Sequence, residues 1–186
     1  NTVFTPYKRA GLAKVDDFFL KPYPSRGYAD ALIAPPARYD APLPSLPDIG
    51  FEATNLSTLE IPTGTQGGAA LFEDFVDRID RYDAARNFPA VRGPSYLSVP
   101  LRFGTASIRQ LASVAHRLSQ QGNAGAATWL SELIWRDFYF QILAHHPQLA
   151  DGKSFRPEYD KIIWHHGKHA DTLFDAWCQG RTGYPL

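Results

Sequence analysis

The chain has 186 residues and a formal net charge of zero, with 44% hydrophobic and 13% aromatic residues. This length and composition fit one soluble globular domain, or a piece of a larger one, that can bury a core. No apolar run approaches the ~18 residues of a membrane span, and the start of the chain lacks a signal-peptide pattern, so we expect a cytoplasmic, intracellular protein without a membrane partner. The single cysteine, Cys178, excludes an intrachain disulfide framework and a multi-cysteine metal site.

Residues 1–65 are predicted to form a proline-rich interdomain linker. Most of the 15 prolines precede Thr63, and a helix of useful length cannot run through them. Apolar residues such as Phe18 and Phe19 indicate a linker that packs on a domain surface. A helical domain is then expected over residues 66–186.

Helical spacing of apolar residues dominates the rest of the chain. Phe72, Phe75 and Ile79, for example, follow one helical stripe. The predicted helices run from about Ala69 to Tyr82, from a Ser107 or Thr105 cap to the sequence QQGNAG, from about Ala124 to His146, and from about Ala170 to Cys178. Since no convincing run of alternating strands is present, the predicted fold class is all-α.

One interval of the chain carries arginines without any acid. Residues 84–131 contain no Asp or Glu, but they hold five arginines, Arg86, Arg92, Arg102, Arg109 and Arg117. Guanidinium groups without local carboxylate partners favour an external anion such as phosphate or a nucleic-acid backbone. A solvated or interdomain-paired surface explains the same pattern, and charge alone leaves both interpretations open.

The segment from Ala127 to Leu143 is the helix on which we expect the chemistry. Helical spacing puts Trp129, Glu132 and Arg136 along one face, with Trp135 beside them. One interpretation is a structural Glu132–Arg136 ion pair. The other is a polar pocket, in which two indoles form stacking walls, the carboxyl binds a base-like heterocycle and the arginine binds phosphate.

The motifs together resemble the photolyase/cryptochrome flavoprotein family, most closely its class I cyclobutane pyrimidine dimer photolyases. The resemblance rests on VFTPYKRA, RNFPAVRGPSYLS, LRFGTASIR, WLSELIWRDFY and AWCQGRTGYP, which occur in the family's order. It implies that the chain is a fragment that corresponds to the interdomain linker and the first half of the helical FAD-binding domain. An antenna domain with methenyltetrahydrofolate or a deazaflavin is expected elsewhere in the protein.

The resemblance also implies a set of FAD-binding residues. The loop from Gly93 to Ser98 corresponds to the family segment that wraps the flavin pyrophosphate, where acids would repel phosphate. Pro94 stands where the family usually has threonine, which removes a hydroxyl and an N–H donor. The expected FAD contacts are Tyr82, Ser95, Tyr96, Leu97, Ser98, Trp129 and Arg136.

For the substrate, the resemblance assigns Glu132 to hydrogen bonding a flipped-out pyrimidine dimer and Trp135 to stacking on it. Arg86 and Arg136 are placed on the DNA side of the pocket. Trp164 matches the outermost tryptophan of the family's electron-transfer chain, so the expected catalytic residues are Glu132, Trp135 and Trp164. No metal is expected, because Gly167 weakens the helix that His165 and His169 would need to form a metal-binding pair.

The predicted function is therefore that of a deoxyribodipyrimidine photo-lyase, a blue-light-driven DNA repair enzyme, acting as a monomer on DNA that contains pyrimidine dimers. Light-excited reduced FAD would donate an electron to the dimer, the cyclobutane ring would split and the electron would return. Two alternatives remain. One is a cryptochrome-type photoreceptor without repair activity, and the other is a non-catalytic helical nucleic-acid-binding module.

Overall fold

The computed structural model describes residues 2–39, 42–52 and 54–184, and in these ranges the regular elements are all helical. The predicted all-α fold class is thus confirmed. The chain divides into two compact units, Asn1–Tyr139 and Phe140–Leu186. Among the described residues, no helix is long and apolar enough to cross a bilayer.

The proline-rich N-terminal region contains a helix that the sequence did not predict. Helix α1 spans Phe4–Lys14 and includes Pro6 in its first turn. A proline there is tolerated because the first-turn N–H groups have no partner within the helix. The expectation that no useful helix passes through these prolines is therefore wrong for this segment.

After α1 the chain forms the short helix α2, Asp17–Leu20, and then isolated 3-10 turns as far as Leu59. Helix α2 packs on a later helix of the same unit, α6 at Ile108–Gln120. Leu20 is the residue that α2 buries, whereas Phe18 and Phe19 contact each other edge-to-face and stay largely exposed. The segment thus packs through Leu20 and not through the two phenylalanines that the sequence suggested.

The first predicted core helix is α3, which spans Gly64–Val76. It begins earlier than predicted, and the chain then turns through a 3-10 segment, Ile79–Arg81, into the short helix α4, Tyr82–Ala85. The predicted apolar stripe is correct, because Phe72, Phe75 and Ile79 are all buried. Together α3, α4 and the helices that follow form one hydrophobic core in the first unit.

The remaining helices of this unit are α5, α6 and α7, where α5 is Ser98–Phe103 and α7 is Ala124–His145. Ser107 caps α6 by accepting a hydrogen bond from the N–H of Gln110, as predicted. Asn123 accepts one from the N–H of Ala126 at 2.8 Å in the first turn of α7. Helix α7 ends before Pro147, so its predicted bounds are confirmed to within one residue.

The second unit begins with the last turns of α7. Two 3-10 segments, Pro147–Asp151 and Pro157–Lys161, lead to helix α8, Lys168–Cys178. This is the short helix that was predicted from about Ala170, starting two residues earlier. Leu173, Phe174 and Trp177 of α8 are exposed to solvent.

Candidate functional site

The acid that the sequence singled out on α7 forms an ion pair across the first unit. Nη1 of Arg86, directly after α4, donates a hydrogen bond to Oε1 of Glu132 over 2.5 Å. Both side chains are about one third exposed, at 32% and 34%, so the pair lies at the edge of the core. The guanidinium also lies over the ring of Tyr82, 5.2 Å from its centroid.

This pairing has an electrostatic consequence. The hydrogen bond with Glu132 raises the pKa of Arg86, while partial burial opposes the shift. Burial also raises the pKa of Tyr82, so its hydroxyl stays neutral beside the ion pair. From helical spacing, the only structural partner predicted for Glu132 was Arg136. Arg86 was not predicted as its partner, because a contact between residues 46 apart in sequence leaves no periodic signal.

Trp135 lies one turn further along α7 and is partly exposed. The ring of Phe4, from α1, stacks on its indole with 3.5 Å between centroids and 8° between planes. Tyr139 also stacks on it at 5.6 Å. The indole therefore accepts a flat ring on its face, which is the property that stacking on a base requires. Sequence reasoning missed Phe4, since nothing in its spacing connects it to α7.

Trp129 does not form the second wall that the polar-pocket interpretation expected. It is 3% exposed and packs between Phe72 and Phe75 of α3, at centroid distances of 6.1 and 4.7 Å. Helical spacing predicts the face of α7 on which Trp129 lies. It does not show that α3 packs against that face. Trp129 is thus part of the core beneath the ion pair.

The predicted cofactor residues divide by exposure. Tyr82, Leu97 and Trp129 belong to the buried core, whereas Tyr96 and Ser98 are exposed and Ser95 is half-buried. Tyr96 has a left-handed backbone, with φ of 56°, which turns the chain between the half-buried Ser95 and the fully buried Leu97. Leu97 therefore anchors the loop in the core, and Ser95, Tyr96 and Ser98 present hydroxyl groups towards its surface.

Two further predicted residues lie apart from this loop. Arg136, on α7, is partly buried and donates a hydrogen bond to the carbonyl oxygen of Leu101 in α5, at 3.5 Å. Trp164 lies in the second unit, before α8, and is 72% exposed. An exposed indole is compatible with the surface position expected for an outermost tryptophan.

The structure is thus an all-helical domain that carries an aromatic and arginine-bearing site and a hydroxyl-bearing loop. Residues 129–186 match the family model described as the FAD binding domain of DNA photolyase. This match confirms the resemblance to the DNA photolyase family that the sequence motifs indicated. The predicted cofactor, FAD, is the one that this family model describes.

Proteins named deoxyribodipyrimidine photo-lyase match the chain along most of its length. It is 34% identical to the deoxyribodipyrimidine photo-lyase of Vibrio cholerae, over 99% of the chain and 38% of the relative. It is 41% identical to that of Synechococcus, over 77% of the chain and 30% of the relative. The crystal structure of a class III photolyase from Agrobacterium tumefaciens superposes with a TM-score of 0.68 at 25% identity, over 99% of the chain and 37% of that structure. The chain thus spans between 30% and 38% of the length of these proteins.

Proposed function

We propose that this chain supplies part of the flavin and lesion pocket of a light-driven DNA repair lyase that acts on cyclobutane pyrimidine dimers. The observation that carries the proposal is the Arg86–Glu132 ion pair, at the edge of the core and one helical turn from the ring-stacking face of Trp135. The family resemblance assigns Glu132 and Trp135 to an extruded dimer, and it assigns Arg86 to the DNA side of the pocket.

The residues around the loop suit FAD by their chemistry. Ser95 and Ser98 offer hydroxyls in an interval without acids, and hydroxyl and N–H groups are the donors that a pyrophosphate requires. The left-handed Tyr96 gives the loop the tight turn that brings such donors together. Under this proposal Tyr82, Leu97 and Trp129 would support the cofactor from the core, and Arg136 would contact it from α7. When bound, FAD supplies the light-driven electron transfer.

On the substrate side, each proposed residue has a defined task. Trp135, on which Phe4 stacks in this structure, would stack on the extruded dimer in place of that ring and so restore the base stacking lost on leaving the duplex. Glu132 would accept hydrogen bonds from the N–H groups of the pyrimidines through a carboxylate that Arg86 holds in place. Arg86 would balance the charge of Glu132 and add positive potential near the DNA backbone.

The direct test uses a polypeptide of photolyase length that contains this chain, loaded with FAD and chemically reduced. The substrate is an oligonucleotide with one cyclobutane thymine dimer, and dimer loss is followed by absorbance under blue light and in darkness. We expect repair only in the light. Glu132→Gln should slow repair by roughly tenfold or more, because the lost charge weakens hydrogen bonding to the reacting pyrimidines. The matched variant Glu73→Gln, at an exposed position of α3, should leave the rate unchanged.

Two results would reject the proposal. The first is a wild-type polypeptide that binds FAD but removes no dimers in the light, which would favour a photoreceptor without repair activity. The second is salt-sensitive DNA binding by a wild-type polypeptide that retains no flavin, which would favour a helical nucleic-acid-binding module.

A further inference from the structure

Arg78, which follows α3, holds the loop that precedes the proposed pyrophosphate site. Its Nη1 donates to the carbonyl oxygens of Arg92 at 2.7 Å and Gly93 at 3.0 Å, and its Nη2 donates to that of Pro94 at 2.8 Å. The guanidinium is thus bound to three consecutive carbonyls of the loop. None of the site residues inferred from the sequence includes Arg78.

The same guanidinium also contacts one carboxylate. Nε and Nη2 of Arg78 both lie 3.1 Å from Oδ2 of Asp74, one turn earlier on α3. Each nitrogen of the group then lies within 3.1 Å of an oxygen atom, and the side chain is only 12% exposed. Asp74 also pairs with Arg92 at 3.2 Å, which ties the start of the loop to the same helix.

The loop has little room to adopt another path. A Cβ added at Gly93 would lie 2.5 Å from the backbone carbonyl of Ala85 in α4, so the loop is pressed against that helix. At its other end Leu97 is 1% exposed. The ring of Tyr96 lies 5.8 Å from the guanidinium carbon of Arg78. Arg78 therefore contacts a segment that is fixed on both sides.

The consequence concerns the direction of the peptide dipoles. In a trans peptide the C=O of one residue and the N–H of the next point in opposite directions. Because Arg78 binds the Pro94 carbonyl, the N–H of Ser95 points away from Arg78. Under the proposed function, this is the side on which the pyrophosphate would bind. Arg78 also removes the carbonyl oxygens of Arg92 and Gly93, which would repel phosphate, from that side.

We propose that Arg78, oriented by Asp74, is a positioning residue that fixes the loop Arg92–Ser98 for binding the pyrophosphate of FAD. The inference rests on the proposed function, because it assumes that this loop receives the cofactor. Arg78 does not touch the phosphates itself and acts through the loop backbone. The orientation of the loop matters more in this chain, because Pro94 provides no backbone N–H and the N–H of Ser95 is the first donor after it.

The test compares Arg78→Gln with Arg81→Gln in the photolyase-length polypeptide. Arg81 is a matched control three residues away, with a side chain 74% exposed. Two quantities are measured, the FAD dissociation constant and the amide hydrogen exchange of residues 92–98 in the FAD-bound protein. We expect Arg78→Gln to weaken FAD binding by about tenfold and to accelerate exchange in the loop, with α6 unchanged. Arg81→Gln should change neither quantity.

Asp74→Asn and Arg78→Lys provide milder variants if Arg78→Gln does not fold. Lysine keeps the charge but has too few donors for three carbonyls and a carboxylate, so it should give a smaller loss in the same direction. Unchanged FAD affinity in these variants, or exchange that accelerates equally in the loop and in α6, would overturn the inference while leaving the proposed function intact. A wild-type polypeptide that binds no FAD would overturn both.

Discussion

At the scale of single residues, Gly125 shows how a close approach between segments fixes an amino acid. A Cβ at this position would lie 1.9 Å from the carbonyl oxygen of Ile79 and 2.9 Å from the backbone of Asp80. Helix α7 therefore crosses the 3-10 segment Ile79–Arg81 at a distance that only glycine permits. The sequence identifies a helix start here but gives no sign of the crossing.

We expect Gly125→Ala to lower the free energy of unfolding by about 3 kcal/mol, because the backbone of α7 must shift to make room. Gly11→Ala is the matched control. It also lies within a helix, α1, but a Cβ there meets no described atom within 4 Å. It should raise helix stability by about 0.5–1 kcal/mol. Urea unfolding followed by circular dichroism measures both changes, and equal effects at the two positions would contradict the crossing.

The ion pair of Glu132 is the other instructive case among single residues. The sequence placed Glu132 on the helix that became α7, and the family resemblance assigned Arg86 to the same pocket. It did not predict that the two form a pair, because Arg86 reaches Glu132 only after α4 and α7 have packed together. Such contacts depend on the tertiary path and not on helical periodicity.

At the scale of elements, the position of α1 is the main result that the sequence did not predict. Phe4 stacks on Trp135, and the Tyr7 hydroxyl donates a hydrogen bond to Asp137, so α1 lies along α7. Burial and the neighbouring Asp137 carboxylate raise the pKa of Tyr7 from 10.0 to about 12. The folded state therefore prefers the neutral phenol more strongly than the unfolded state does.

This shift predicts a pH dependence for the docking of α1. The stabilisation that Tyr7 contributes should be fully present below pH 10 and should be lost as the pH rises towards about 12, when the phenol ionises in the folded protein. The measurement is the difference in near-ultraviolet phenolate absorbance between the wild type and Tyr7→Phe, titrated across this range. A Tyr7 that ionises with the ordinary pKa of 10.0 would show that the contact with Asp137 does not form in solution.

At the scale of the whole molecule, the second unit exposes large apolar side chains. Leu173, Phe174 and Trp177 are all more than half exposed. The chain also spans only 38% of the Vibrio cholerae relative that it matches along nearly its full length. Under the proposed function, a polypeptide of photolyase length would cover these side chains and complete the flavin pocket.

The corresponding prediction concerns the isolated 186-residue chain. We expect it to bind FAD much more weakly than the photolyase-length polypeptide and to repair no dimers, because part of the proposed pocket is absent from it. Equilibrium dialysis with FAD, with both proteins at equal concentration, measures the difference. If the isolated chain retained stoichiometric FAD and repaired dimers in the light, the proposed division of the pocket would be wrong.

The sequence by itself determined the all-α fold, the extent of α7, the Ser107 cap and the resemblance to the photolyase family. These features depend on local spacing, capping chemistry and motif order, all of which are written along the chain. Only the tertiary structure decided that Trp129 is buried under α3, that Arg86 pairs with Glu132, that Phe4 covers Trp135 and that Arg78 holds the loop before Ser95. Each of these joins segments distant in sequence, and their meeting depends on how the helices pack around one core.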